Sequence, residues 1–225
     1  MTVLAQFAAL TAKDLRLELR RKESFITVAF FAILILMVFT FALGPTVTRQ
    51  KELAPGLIWI AFIFASVLAV GNAFHKEEAN ATLEGLLLAP VDRGVIYLSK
   101  VAGNVVLILA VHTILVPLFF VLFNVDRWAI LPSMAVVLVL ATVGFAAVGT
   151  LLAAVTHAVR AREVLVPLLL LPLAVPLILG AVRSTEVLFM GAGLAEAARW
   201  VKLMVAFDAL FLASGYLAFE YVVEL

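Results

Sequence analysis

The sequence predicts an all-α membrane protein with six transmembrane helices. An amphipathic helix is expected on the membrane surface at the N-terminus, and a short cytoplasmic helix between the second and third spans. Three observations carry this prediction. First, 65% of the 225 residues are hydrophobic and the mean hydropathy is +1.19, against roughly 45–50% apolar content in soluble domains. Second, charge-free runs such as Ser24–Thr48 reach the roughly 20 residues needed to cross a bilayer core. Third, His75–Arg93 (HKEEANATLEGLLLAPVDR) is the longest interruption between two apolar runs that mixes both charge signs with a leucine cluster.

The chain reads as one transmembrane domain, 1–225, and its elements follow in order. In residues 2–22, Val3, Leu4, Phe7 and Leu10 recur at helical spacing, while Lys13, Arg16 and Arg20 share the opposite face. Such a helix lies in the interface with its basic face toward anionic headgroups; a solvated helical lead-in fits the same pattern. The first span covers about 25–44 and stops at Gly44-Pro45. It is too long for the apolar core of a cleavable signal peptide. A polar loop (Arg49, Gln50, Lys51, Glu52) leads to Ala54-Pro55-Gly56, which opens the second span at about 57–74. Trp59 is expected near the interface, where indole rings prefer to sit.

The element 75–93 places Glu77, Glu78 and Glu84 around Leu83, Leu86, Leu87 and Leu88, then closes at Ala89-Pro90. A short amphipathic helix fits, because the residue before a proline is pushed out of the α region. The third span, about 101–123, holds Asn104, His112 and Pro117. The fourth, about 130–155, carries Gly144, Gly149 and several alanines, which permit close helix–helix approach in lipid. The fifth, about 164–182, contains Pro167, Pro172 and Pro176, so a kink or local unwinding is expected. Residues 183–202 read as a weakly helical surface segment, and the sixth span covers about 203–222 with Asp208 inside it.

Lysine and arginine fall ten to six in favour of the side that holds both termini and the 75–93 element. That bias makes the side cytoplasmic.

The chemistry available to the chain is narrow. It contains no cysteine, so thiolate metal sites, disulfides and cysteine nucleophiles are excluded. It has no GxxxxGK[ST] loop, no HExxH, no GxSxG and no CxxCH, so ATP hydrolysis and the common hydrolase chemistries have no motif here. The expectation is a non-enzyme with no bound metal or tightly held cofactor and no nucleic-acid partner. Asn104, His112 and Asp208 are the candidate intramembrane polar site, with Asn72 beside them. A carboxylate at membrane depth is functional by default, but the simpler reading puts Asp208 near the outer headgroups, hydrated or paired with Lys202 or Arg199. His112 suits metal ligation or proton relay in principle, and more simply a hydrogen bond to a neighbouring helix. His75 and His157 read as solvated.

A family resemblance rests on several of these stretches together. Ala54-Pro55-Gly56-Leu57-Ile58-Trp59, Phe74-His75-Lys76-Glu77-Glu78, Thr82-Leu83-Glu84, Leu87-Leu88-Ala89-Pro90, Leu98-Ser99-Lys100-Val101 and Leu171-Pro172-Leu173 with Pro176-Leu177 resemble the haem exporter protein B family. The similarity extends over essentially the whole chain. Ala81 departs from the glycine usual in the family before Thr82-Leu83-Glu84. The resemblance implies an ABC-2-like permease, the membrane subunit of a bacterial cytochrome c maturation complex in the inner membrane. It implies a separate cytoplasmic ATPase, a haem-handling membrane subunit, a small single-span subunit and a haem chaperone as partners, with haem as cargo. The 75–93 element is then the ATPase-coupling helix, through Glu77, Glu78, Leu83, Glu84, Leu86, Leu87 and Pro90. Two alternatives stay open: a non-transporting scaffold in the same assembly, and an exporter permease for an unrelated lipid or drug.

Overall fold

A protein that must satisfy its backbone inside lipid has helices or closed barrels available to it, and every regular element among the described residues is helical. The computed structural model describes residues 2–21, 23–43, 47–79, 91–156 and 162–223. These form α1 (Val3–Arg21), α2 (Glu23–Leu43), α3 (Val47–Ala79), α4 (Arg93–Leu122), a 3-10 turn at Trp128–Ile130, α5 (Leu131–Val155), α6 (Arg162–Leu173), α7 (Val175–Phe189) and α8 (Ala198–Val223). Among the described residues, five helices are long and apolar enough to cross a membrane, and α6 with α7 pass the same test as a pair bent by 57°. The protein is an all-α, multi-pass membrane protein. Arg93 Nη1 lies 3.4 Å from Glu220 O, so α4 starts where α8 finishes. That end of the bundle is the base and the opposite end the crown.

The centre of the bundle is α5. It packs against α3, α4, α7 and α8, and small residues let it do so. A methyl group on Gly149 would sit about 3 Å from Val70 of α3, and one on Gly144 would meet Leu177 of α7 at 2.9 Å. Phe145 is fully buried and meets Phe62 of α3 edge to face at 5.9 Å. The lining of α2 is different. It rests on α3 and α4 through Val28, Ala32 and Leu36, while Ile26, Phe30, Leu34, Val38 and Phe41 face outward. That apolar outer face suits lipid.

Four sequence expectations need correction. The polar stretch Arg49–Glu52 is helix rather than loop, because α3 runs unbroken from Val47 through Pro55. Pro55 forfeits one donor and Gly56 is a weak helix former, but a break there would orphan more backbone groups inside the membrane. Trp59 does not present its ring to lipid. It is 1% exposed, and its Nε1 donates to Thr185 Oγ1 of α7 at 2.9 Å. No new helix begins at His75. No breaker intervenes, so α3 continues to Ala79 and carries Glu77 and Glu78 on its last turns. Residues 80–90 lie outside the described residues, and with them Leu83, Glu84, Leu86, Leu87 and Pro90.

The fourth correction concerns residues 183–202, which are not one surface helix. The segment 183–189 completes α7, and α8 already begins at Ala198. What separates them is a Schellman turn. Gly191 takes φ +92°, its N–H donates to Leu188 O at 3.0 Å, and Ala192 N donates to Val187 O at 3.2 Å. Glycine has no Cβ penalty at this left-handed position. The same turn closes α4 with Asn124 at φ 48° and Val125 N donating to Phe120 O at 2.9 Å. The expected distortion of the fifth span falls at Ala174, between Pro172 and Pro176; Pro167 sits inside α6 without breaking it.

Trp59→Phe keeps the ring buried and deletes one interhelical hydrogen bond. It should cost about 1 kcal/mol, whereas Trp59→Ala should cost about 3–5 kcal/mol through the cavity it opens. Thermal unfolding of both variants in one detergent checks the order; equal losses would show that the Thr185 bond, not packing, holds the indole.

Candidate functional site

The polar contacts between helices concentrate at the base, around the first turns of α4. Asp92 caps this helix, its carboxylate accepting from Gly94 N at 2.8 Å. Aspartate is among the preferred residues for that position because it satisfies an orphan N–H.

Three contacts hold the turns that follow. Tyr97 is fully buried, with its hydroxyl 3.0 Å from Ala147 O of α5 and 3.1 Å from Phe211 O of α8. A phenol has one proton, so it donates to one carbonyl at a time while remaining close to both. Its ring lies over Gly215, where a methyl group would collide with it. Tyr216, the neighbour of Gly215, covers Gly94 in the same way. The two helices are therefore clasped by a reciprocal pair, each presenting a glycine to the other's tyrosine. Phe219 adds a ring contact to Tyr97 at 5.7 Å.

The third contact brings in α1. Lys100 Nζ lies 2.8 Å from Asp14 Oδ2, with side chains 10% and 20% exposed, and Lys13 approaches Asp14 Oδ1 at 3.3 Å. Of the basic face expected on α1, Lys13 thus joins the base network through Asp14, Arg16 is exposed, and the Arg20 side chain lies outside the described part of the helix. Sequence reasoning did not single out Asp14, Tyr97, Gly94, Gly215 or Tyr216. The signal was faint: glycine and tyrosine three residues apart at 94 and 97, and adjacent at 215 and 216.

The intramembrane candidates do not converge. Asn104 Nδ2 donates to Thr150 Oγ1 at 3.0 Å, joining α4 to α5. His112 is buried, with Nδ1 2.6 Å from Ile108 O of its own helix and its ring 4.6 Å from that of Phe62. The expected bond to a neighbouring helix is therefore replaced by a ring contact. Asp208 corrects its expectation more sharply. It is 6% exposed, and Oδ1 lies against Gly144 with no hydrogen-bond partner among the described residues. It pairs with neither Lys202, which is exposed, nor Arg199, whose guanidinium sits 5.3 Å from the Trp200 ring. The helix explains this: six residues turn roughly 240° and nine rise roughly 13 Å, so neither cation can reach. Among the described residues, no three His, Cys, Asp or Glu side chains gather as a metal site would require.

Spanning helices around a glycine- and alanine-rich centre, one of them broken, define a polytopic helical membrane protein. The comparisons give the family. A family model described as CcmB protein matches residues 5–225, and the chain belongs to that family. Heme exporter protein B of Rhodobacter capsulatus is 32% identical over 175 residues, 77% of this chain and 79% of that one. The protein of the same name from Pseudomonas aeruginosa is 28% identical over 176 residues, 78% of each chain. That of Haemophilus influenzae is 24% identical over 183 residues, 80% of this chain and 81% of its own.

The Asp14–Lys100 pair sets up a double-mutant cycle. Lys100→Met alone leaves a partly buried carboxylate with a weaker partner and should destabilise by about 2 kcal/mol, below the roughly 3–5 kcal/mol of a fully buried break. Adding Asp14→Asn should recover a large part of that loss. Melting temperatures of wild type, both single variants and the double variant decide it; strictly additive losses would mean the two side chains do not act as a pair.

Proposed function

We propose that this chain is the transmembrane subunit of an ABC-type complex in bacterial cytochrome c maturation. In this reading a separate cytoplasmic ATPase drives it, and its motion serves haem export and delivery, or release of a haem-loaded chaperone. The observation that carries the proposal is membership of the CcmB family over residues 5–225, with relatives named as haem exporters. The sequence has no phosphate loop, so work must arrive mechanically from a nucleotide-binding partner. The chain itself is not an enzyme, and haem is its cargo rather than a resident cofactor.

The base is the natural place to receive that work. The basic bias toward this side supports a cytoplasmic base, with both termini on the same side of a bacterial inner membrane in this reading. Glu77 and Glu78 at the end of α3 begin the coupling element. Leu83, Leu86 and Leu87 are assigned to a groove on the ATPase, Glu77, Glu78 and Glu84 set register by charge, and Pro90 ends the element before the Asp92 cap. From there the Tyr97 hydroxyl, the paired glycines and the Asp14–Lys100 bridge connect α4 to α1, α5 and α8. The remaining partners in this reading are a haem-handling membrane subunit, a small single-span subunit and the haem chaperone.

A second reading has its own support. Asn104, His112 and Asp208 are each buried separately and line no common path among the described residues. That favours a coupling scaffold, moving a partner rather than passing haem through this chain.

Leu87→Asp should reduce the ATPase co-purified with the chain from native membranes by at least about tenfold, since a charge would enter an apolar contact, while the chain itself stays in the membrane. Undiminished co-purification would overturn the coupling role. His112→Ala should retain substantial cytochrome c assembly, because the ring is enclosed against Phe62 rather than presented to a ligand. Complete loss of assembly at normal protein level would instead make His112 a ligand.

A further inference from the structure

The basic face of α1 has a feature that the coupling role leaves unused. Alongside α4, α1 lies at the level of Lys100 and Gly103: Asp14 reaches Lys100 at 2.8 Å, and a methyl group on Gly103 would touch Asp14 Cβ at 3.9 Å. The charge-free run of α4 starts directly after Lys100. This part of α1 therefore sits at the depth where the polar surface of a bilayer gives way to hydrocarbon.

A cavity of about 490 Å³ opens here, lined by Ala9, Ala12, Lys13, Arg16 and Leu17. Their spacing puts all five on one helical face. The two alanines leave the space unfilled, Leu17 supplies an apolar wall, and the two cations stand at the rim. Arg16 makes no ion pair among the described residues, and Lys13 shares Asp14 with the closer Lys100. Lys13 and Arg16 line the groove and give it its positive charge.

We propose that this groove binds the headgroup of an acidic phospholipid, with the phosphate between Lys13 and Arg16. The first part of the glycerol and acyl chain then lies over Ala9, Ala12 and Leu17. The charge matches, because a phosphodiester placed between a guanidinium and an ammonium satisfies both. The depth matches as well, and it selects a lipid over a soluble acidic partner: cations above an apolar wall at the hydrocarbon boundary mirror a lipid's own order of groups. The lipid completes the docking of α1 on the base, adding to the Asp14–Lys100 bridge a contact that depends on membrane composition.

The test uses the full chain purified in mixed micelles and offered equal amounts of dioleoyl phosphatidylglycerol and dioleoyl phosphatidylcholine. Lipid retained per chain is then counted by native mass spectrometry. Wild type should retain phosphatidylglycerol in preference to phosphatidylcholine. The K13Q/R16Q double variant should lower that retention about 30-fold, from about 1 kcal/mol per basic residue near the surface. Ala12→Leu keeps both charges and fills the groove, and should also expel the lipid while helical content by circular dichroism stays unchanged. Equal retention by wild type and K13Q/R16Q, or no effect of Ala12→Leu, would overturn the proposal. Displacement by excess inorganic phosphate would overturn it too, since the site would then read a free anion and not a lipid.

Discussion

The close approach of α5 to its neighbours is the constraint on which the rest of the bundle depends. In lipid, apolar surface gains little by leaving one hydrocarbon environment for another, so helices associate through contact distance and through polar bonds. Gly144, Gly149 and the alanines of α5 supply the first. Gly149 admits Val70, while Gly144 admits both Leu177 and the Asp208 carboxylate. With the helices that close, short side chains suffice for the second: Asn104 meets Thr150, and Tyr97 reaches Ala147 O. A bulkier residue at either glycine would push apart the surfaces on which those bonds rely.

Asp208 shows how this packing accommodates an unfavourable group. A carboxylate near the middle of a span costs roughly 2.5–3.5 kcal/mol on insertion scales. Here it is taken out of lipid by being enclosed between α5 and α8 and not by reaching a cation. The enclosure exists because residue 144 has no side chain. Position 144 and position 208 are thus one structural fact written in two helices.

Much of the architecture was legible because lipid imposes it. Spans appear in a sequence as long charge-free runs, and the proline pair 172 and 176 announced the break that falls at Ala174. Elements set by tertiary contact were not legible. The interfacial preference of tryptophan did not reveal that Trp59 is buried between helices, where Thr185, 126 residues away, offers its indole an acceptor. The turn at Gly191 was missed because residues 183–202 had weak helical character throughout, and only the hydrogen bonds reveal where one helix stops. At the base, the clasp needs two glycines and two tyrosines 120 residues apart to face one another, a match that no local pattern encodes. Asp208 was assigned to the headgroup level because nearby cations in sequence looked available; helical phase puts them out of reach.

The bend at Ala174 bears on how the protein enters its membrane. The twelve residues of α6 extend about 18 Å, short of the roughly 30 Å hydrocarbon core. The fifteen of α7 extend about 22 Å and carry Arg183 and Glu186, joined at 2.8 Å, on their later turns. Neither arm is a self-sufficient membrane segment for the insertion machinery. The two are best integrated as a single unit against α5, which is made before them, with α8 closing over them afterwards. The order in which the ribosome delivers these helices is then part of how the fold is reached.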